Sequence, residues 1–132
     1  DVLVLAALEN QITAENAEKI RAKYIIELAN GPIDSRGDEI LHKNGIIVVP
    51  DILANSGGVI GSYFEWIQNR TGRAFTVDYI ENQFEKLIKN AFNKVYNKFE
   101  EFKRKYSMRT VAYMIAIDRI LSAERLRGRI GK

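Results

Sequence analysis

Three short, mainly apolar runs divide the first half of the chain, at residues 2–5, 24–28 and 46–49. Runs of this length are typical of strands that are buried on both faces of a sheet. The tripeptide Asn-Gly-Pro at 30–32 ends the second run, and Pro50 ends the third. Asn-Gly-Pro favours a turn, and proline lacks the amide hydrogen that a strand in a sheet donates. The pattern therefore predicts three buried strands.

Helical segments alternate with these strands. Thr13 can cap a helix that runs to about residue 23. The apolar positions of that helix share one side: Ile12, Ala17 and Ile20. A short helix is expected over 36–44 and a longer one over 57–70, for which Asn55 or Ser56 can provide the N-cap. The order strand, helix, strand, helix, strand, helix predicts parallel strands joined by crossover helices.

The fold class that follows is α/β: half of a Rossmann-like doubly wound parallel sheet, followed by a long C-terminal helical segment. From Thr76 onward, apolar residues recur on one helical face. They are Ile80, Phe84, Leu87, Ile88, Ala91, Phe92, Val95, Phe99 and Phe102. Ser107 can cap a last helix, which is apolar nearly all round over 111–117 and is expected to be buried between two surfaces. We expect a partial nucleotide-binding domain over 1–72 and helices that pack on it over 73–132.

Composition narrows the range of functions. The 132 residues contain no cysteine and one histidine, which argues against thiolate or histidine metal clusters. No apolar run reaches the roughly 18 residues of a membrane span, so we expect no membrane partner. The net charge is +3, and basic residues cluster at positions such as 103–105. A solvated helix face explains such clusters better than a nucleic-acid surface does. The first residues do not resemble a signal peptide, and a chain that opens on a core strand is expected to be part of something longer.

Two asparagines are candidates for ligand contacts. In open parallel sheets, ligands bind beyond the carboxyl ends of the strands. Asn30 follows the second predicted strand and Asn55 follows the third, so crossovers of one hand bring both to the same edge. An amide can read a carboxamide or a ribose hydroxyl, since it has two donors and an acceptor. The alternative is that both asparagines only shape turns.

A glycine-containing segment, 56–62, opens a helix directly after a strand. Paired glycines allow close approach to the backbone, and helix N-termini attract anions. The G-x-G-x-x-G fingerprint of dinucleotide sites is absent from the sequence. Ser62 lies one turn into this helix, where a solvated surface serine is the plainer interpretation.

The segment 50–66, Pro-Asp-Ile-Leu-Ala-Asn-Ser-Gly-Gly-Val-Ile-Gly-Ser-Tyr-Phe-Glu-Trp, resembles a signature of hexameric glutamate dehydrogenases of the Glu/Leu/Phe/Val dehydrogenase family. Residues 1–13, Ala-Asn-Gly-Pro at 29–32, and Met-Arg-Thr at 108–110 with Ala-Tyr-Met at 112–114 fit the same family in order. The resemblance covers essentially the whole chain. It implies the carboxy-terminal part of such an enzyme, including half of its nucleotide-binding domain.

The resemblance also implies roles for individual residues. Asn30 and Asn55 match asparagines that contact the nicotinamide end of NAD or NADP. Ala6 and Ala7 match a loop that passes close to this cofactor. Val59 and Ser62 match residues of the glutamate pocket, in which the serine hydroxyl binds the side-chain carboxylate of the substrate. Two neighbours of the cofactor edge depart from the family pattern: Leu5 replaces a common proline, and Leu28 a common glycine.

No catalytic residue of the family is present in this sequence. The catalytic lysine and aspartate, and the lysines for the α-carboxylate, belong to an amino-terminal domain in the family. The resemblance thus implies a cytoplasmic, homo-oligomeric enzyme that interconverts L-glutamate and 2-oxoglutarate, of which this chain supplies pocket walls and is inactive alone. A non-catalytic α/β interaction module remains the alternative, and a basic nucleic-acid-binding fragment is a third interpretation.

Overall fold

A three-stranded parallel sheet forms the first half of the protein in the computed structural model, which describes residues 1–131. The strands are β1 (Val2–Leu5), β2 (Tyr24–Glu27) and β3 (Ile47–Val49), in the spatial order β1-β2-β3. In register, Val2 pairs with Tyr24, which pairs with Ile47. The predicted α/β class and parallel strands are confirmed, and β1 lies at one edge of the sheet.

Within the described residues, five α-helices follow or connect the strands. They are α1 (Ser35–Lys43), α2 (Asp51–Ala54), α3 (Gly57–Thr71), α4 (Val77–Glu101) and α5 (Met108–Leu126). The Thr76 side chain caps α4 by accepting from Tyr79 N, and Ser107 caps α5 by accepting from Thr110 N. Both caps satisfy amides that have no partner within the helix. These two starts were predicted from the sequence and are confirmed.

The predicted helix from Thr13 to residue 23 is wrong. That connection forms only a 3₁₀ turn, Ala17–Lys19, after which Ile20 is extended. The Asn16 side chain accepts from Thr13 N at 2.8 Å and donates to Gln11 O at 2.8 Å. Such local side-chain bonds compete with helix formation. The predicted apolar side is nevertheless correct, because Ile12, Ala17 and Ile20 all pack on the sheet.

The start of α3 also differs from the prediction. A one-turn helix, α2, precedes it, and Asn55 is the C-cap of α2. Ser56 occupies the N-cap position of α3, but its hydroxyl donates backwards to Leu53 O at 2.8 Å and caps no amide. The chain therefore changes direction between α2 and α3 without a side-chain cap on α3.

Two apolar clusters cover the two faces of the sheet. On one face, Ile25 and Val48 pack with Leu41 of α1 and with the connection that follows β1. On the other face, Ile47 and Val49 of β3 pack against buried residues of α2, α4 and α5. These residues are Leu53, Val95, Phe99, Met108, Val111 and Ala112.

This second cover is incomplete. Val2 and Val4 of β1 and Tyr24 of β2 are 57%, 49% and 48% exposed on the same face. On α5, Val111 is buried but Ile117 is 54% exposed, so residues 1–131 supply one of the two covering surfaces that the sequence predicts. No helix in residues 1–131 has the length and apolar composition needed to cross a membrane.

Candidate functional site

The two candidate asparagines meet at the carboxyl edge of the sheet. Asn55 Nδ2 donates to Asn30 Oδ1 at 2.6 Å and to Leu28 O at 3.3 Å. Both amide hydrogens of Asn55 are thereby used. Within residues 1–131, Asn30 Nδ2 and Asn55 Oδ1 have no protein hydrogen-bond partner, so the pair presents two donors and an acceptor. The predicted convergence of Asn30 and Asn55 is confirmed.

Ala6 and Ala7 are exposed and begin the loop that follows β1, next to the turn that carries Asn30. Leu5 O accepts from both Leu28 N, at 2.8 Å, and Ala29 N, at 2.9 Å. The chain after β1 therefore leaves the sheet next to the turn that carries Asn30. Farther on, Asn10 N donates to Gly31 O at 2.9 Å, so the loop and the turn run side by side. Ala6 and Ala7 have short side chains and leave open space at this edge.

A charged network underlies the turn, and its centre is Arg109 in the first turn of α5. Arg109 Nη2 donates to Glu27 Oε1 at 2.6 Å, and Nη1 donates to Asp51 Oδ1 at 3.0 Å. Its Nε contacts Asp38 Oδ1 at 3.4 Å. A guanidinium can hold several carboxylates at once because its five donors lie in a fixed plane. Arg109 thus ties α5 to the end of β2, to α1 and to α2.

The carboxylates of the network also hold backbone amides. Glu27, which is 0% exposed, accepts from Asp51 N through Oε2 at 2.7 Å. Asp51 accepts from Ile52 N at 2.8 Å and, through Oδ2, from Gly31 N at 2.9 Å. Gly31 has φ +56°, a left-handed conformation that glycine adopts without strain. Asp51 therefore joins the Asn30 turn to the start of α2.

The network shifts the titration of its members in different directions. Burial raises the pKa of the Glu27 carboxyl, although Arg109 and the Asp51 amide oppose the shift. Burial acts the same way on Asp51, but hydrogen bonds from Gly31 and Ile52 and the charge of Arg109 outweigh it and lower its pKa. Burial disfavours the charged form of Arg109, but the bond and charge of Glu27, with the charges of Asp38 and Asp51, outweigh burial and raise the pKa of Arg109. The positive charge of Arg109 thus favours the ionised form of both Glu27 and Asp51, and it outweighs burial, together with the backbone bonds, only at Asp51.

Sequence reasoning assigned no role to Glu27, Asp51 or Arg109. One signal was available: Glu27 is a charged residue in a run predicted to be buried, and a buried charge requires a partner. Its partner Arg109 is 82 positions away, within the Met-Arg-Thr segment. Nothing in the spacing joins the two residues.

The first turns of α3 are far less enclosed. Val59 is 75% exposed, and Ser62 is exposed with its hydroxyl donating to Gly58 O at 3.1 Å, in its own helix. Tyr63 and Trp66 on the following turn are 54% and 57% exposed. Of the predicted substrate residues, neither Val59 nor Ser62 has a hydrogen bond or burial that ties it to the asparagine pair.

A cleft of about 550 Å³ lies beside Arg109, between α1, the turn after β2 and the first turn of α5. Its wall carries Asp38, Glu39 and Asp51 together with His42 and Lys105. His42 is half-buried, with Nε2 3.3 Å from Lys105 O. Charges of both signs line the cleft. Residues 1–131 contain no cluster of three or more acidic or histidine side chains arranged to hold a metal ion.

Comparison with known proteins places these features in context. A sequence profile of the family described as Glutamate/Leucine/Phenylalanine/Valine dehydrogenase matches residues 1–128. The chain is 52% identical over 130 residues to the glutamate dehydrogenase of Thermotoga maritima. The matched segment covers 97% of this chain and 30% of that protein. It is 45% identical over 128 residues to an NAD-specific glutamate dehydrogenase of Bacillus subtilis, again covering 30% of that protein. The chain thus spans less than a third of the length of these curated relatives.

Solved structures give the same picture of the fold. The glutamate dehydrogenase of Peptoniphilus asaccharolyticus superposes with a TM-score of 0.86 at 43% identity, over 96% of this chain and 32% of that one. The hetero-hexameric enzyme of Thermus thermophilus gives a TM-score of 0.86 at 30% identity, over 98% of this chain and 31% of that one.

Proposed function

Because the chain belongs to the Glutamate/Leucine/Phenylalanine/Valine dehydrogenase family, we propose that it is the carboxy-terminal part of a glutamate dehydrogenase. The parent protein interconverts L-glutamate with 2-oxoglutarate and ammonia, using NAD or NADP. The observation that carries the proposal is the family match over residues 1–128, together with 52% identity to a protein of that name. The alternative, a non-catalytic interaction module, gains no support from a specific structural feature.

The carboxyl edge fits the nicotinamide end of such a cofactor. Asn30 and Asn55 present two donors and an acceptor, which complement the carbonyl and amine of a carboxamide. The small side chains of Ala6 and Ala7 leave room for a flat ring beside them. When bound, the nicotinamide accepts or donates the hydride of the reaction. The role of Asn30, Asn55, Ala6 and Ala7 is to orient it.

Val59 and Ser62 form one wall of the substrate pocket in this proposal. They are three positions apart on α3 and therefore lie on one side of the helix. Both are exposed, which leaves the Ser62 hydroxyl able to exchange its bond to Gly58 O for one to a carboxylate. We assign this wall and the cofactor edge to a domain of residues 1–72, on which the helices of 73–132 pack.

The groups that perform proton transfer are assigned to an amino-terminal domain outside this chain. The exposed apolar residues of α3, Val59, Tyr63 and Trp66, are consistent with a surface that faces another part of the parent protein. The role of this chain is accordingly to bind and orient cofactor and substrate.

Ser62→Ala in the full-length parent tests the substrate wall. A hydroxyl bond to a charged carboxylate contributes about 1.5–3 kcal/mol. Loss of that bond reduces kcat/KM for glutamate by roughly ten- to a hundred-fold. Norvaline, which lacks the side-chain carboxylate, is the control substrate and should lose much less. An equal loss for both substrates would show that Ser62 only packs the helix, and the isolated 132-residue chain, assayed in parallel, should give no turnover.

We also propose that the protein self-associates. The edge strand β1 exposes Val2 and Val4, and unprotected apolar edge strands recruit other chains. Light scattering of the isolated chain should therefore report a dimer or larger species, and Val4→Lys should shift it toward monomer. A monodisperse monomer at high concentration would contradict this expectation.

A further inference from the structure

We infer that Asp51, held by Arg109 and Glu27, is a positioning residue that sets the geometry of the Asn30–Asn55 pair. The inference rests on the proposed function for the identity of the ligand, but its structural part does not. Within residues 1–131, none of these three charged side chains hydrogen-bonds to the side chain of Asn30 or Asn55. They act on the pair through the backbone.

The path from Asp51 to each asparagine is short. Asp51 Oδ2 accepts from Gly31 N at 2.9 Å, and Gly31 directly follows Asn30. Through its main chain, Asp51 O accepts from Asn55 N at 2.9 Å, one helical turn later. One residue therefore bonds to the turn that carries Asn30 and to the backbone of Asn55. The 2.6 Å contact between the two amides depends on the separation that Asp51 maintains.

Asp51 is itself fixed from two sides. Glu27 Oε2 accepts from its amide at 2.7 Å, and Arg109 Nη1 donates to its carboxylate at 3.0 Å. Glu27 is fully buried and Arg109 is held by three carboxylates, so neither moves without breaking several charge-assisted bonds. A side chain supported this way locks the geometry of the residues that it supports.

Asp38 offers a matched control. It contacts the same arginine, at 3.4 Å, but no hydrogen bond links its side chain to the turn at 29–32. Asp38→Asn and Asp51→Asn therefore remove the same charge from the same network, and only Asp51→Asn also disturbs the bond to Gly31 N.

The experiment uses the full-length parent protein and two measurements. The first is amide hydrogen exchange of a peptide covering residues 28–33, which requires no ligand. Exchange there should accelerate in Asp51→Asn and stay unchanged in Asp38→Asn. The second is the dissociation constant for NADH and NADPH by fluorescence titration. A misplaced binding group costs up to about a hundred-fold, so Asp51→Asn should weaken cofactor binding by roughly 10- to 100-fold, while Asp38→Asn stays within about two-fold of the parent.

Each outcome decides a separate point. Equal exchange and equal affinity in the two variants would overturn the positioning role of Asp51. A parent protein that binds neither cofactor would refute the proposed function, whereas the exchange comparison would still test the positioning. If Asp51→Asn does not fold, Arg109→Lys replaces it, since lysine keeps the charge but cannot hold Glu27 and Asp51 in one plane. It should also accelerate exchange over 28–33, and exchange identical to the parent would overturn the inference that Asp51, held by Arg109, positions this turn.

Discussion

The asparagine edge and the first turns of α3 are held in place in opposite ways, although both are proposed to line one pocket. At the edge, Asn55 bonds to Asn30 and to Leu28 O, and the turn beneath them is tied to Asp51. On α3, Ser62 bonds only within its own helix, and Val59 is 75% exposed. The contacts at the edge join the turn after β2 to α2, whereas the hydrogen bond of Ser62 stays within α3.

This difference indicates which part of the pocket is complete within the chain. The asparagine edge is held by charged residues of this chain: Asp51 bonds to the turn, and Glu27 and Arg109 hold Asp51. The α3 wall depends on what faces it, because its exposed apolar residues have no cover within residues 1–131. One tight contact does fix the start of α3: a Cβ at Gly57 would lie 2.7 Å from Phe84 Cζ, so only glycine allows α4 to approach this closely.

Arg109→Met should give the largest effect, because it removes the support of the edge. Glu27 then remains buried without its charged partner, which costs about 3–5 kcal/mol of the free energy of unfolding. Urea denaturation measures this loss. Arg104→Met is the matched control, since Arg104, just after α4, pairs with Glu100 and both side chains are exposed, so it should leave the midpoint nearly unchanged. Equal losses in the two variants would mean that the edge is no better supported than the surface.

Most of the fold could be predicted from the sequence because local signals and burial agree. The three strands were visible as apolar runs, and α4 and α5 as helices with Thr76 and Ser107 at their starts. The connection after β1 misled the prediction because its apolar spacing suits a helix, while Asn16 bonds to the backbone of Thr13 and Gln11 instead. Periodicity records which residues face the core, and it cannot record such a competing bond.

The candidate site was predictable only in part. The order of strands and turns alone predicts that Asn30 and Asn55 converge. The support beneath them joins Arg109 to Glu27 across 82 positions, and no local pattern encodes that pairing. The proposed roles of Ala6, Ala7, Val59 and Ser62 come from the family resemblance, since exposed residues without tertiary contacts have no structural signature of function. They remain predictions.

Gly57→Ala and Gly58→Ala test the first turns of α3, and their effects on stability should be smaller than that of Arg109→Met. An alanine at 57 overlaps the Phe84 ring and should destabilise the protein by about 1–3 kcal/mol. At 58 nothing lies within 4 Å of the added methyl, so alanine should stabilise the helix by about 0.5–1 kcal/mol. Thermal unfolding of the pair should therefore shift in opposite directions. Shifts of the same sign would show that Phe84 moves aside freely and that α3 is not anchored at Gly57.

The smallest expected effect is a pH dependence of Glu27→Gln. Burial raises the folded-state pKa of Glu27 above its ordinary 4.5, so its contribution to stability is fully present below 4.5 and is lost as the pH rises through the folded value. The pKa of Asp51 is lowered below 3.8, so the contribution of Asp51 is present above 3.8 and is lost only as the pH falls through its folded value. Glutamine does not titrate. The stability difference between the parent and Glu27→Gln should therefore be larger at about pH 4 than at about pH 7.

For Glu85→Gln, the stability difference from the parent should depend on pH in the opposite direction. A hydrogen bond from Lys89 on the exposed face of α4 lowers the pKa of Glu85, so the contribution of Glu85 is present above 4.5 and is lost as the pH falls. Its difference from the parent should be larger at about pH 7 than at about pH 4. Urea denaturation of both variants at the two pH values measures the two trends. If Glu27→Gln followed the same trend as Glu85→Gln, the bonds from Arg109 and Asp51 N would outweigh burial at Glu27. The bonds to Glu27 would then favour its ionised form by more than burial disfavours it, and the Glu27–Arg109 pair would stabilise the edge more at neutral than at acidic pH.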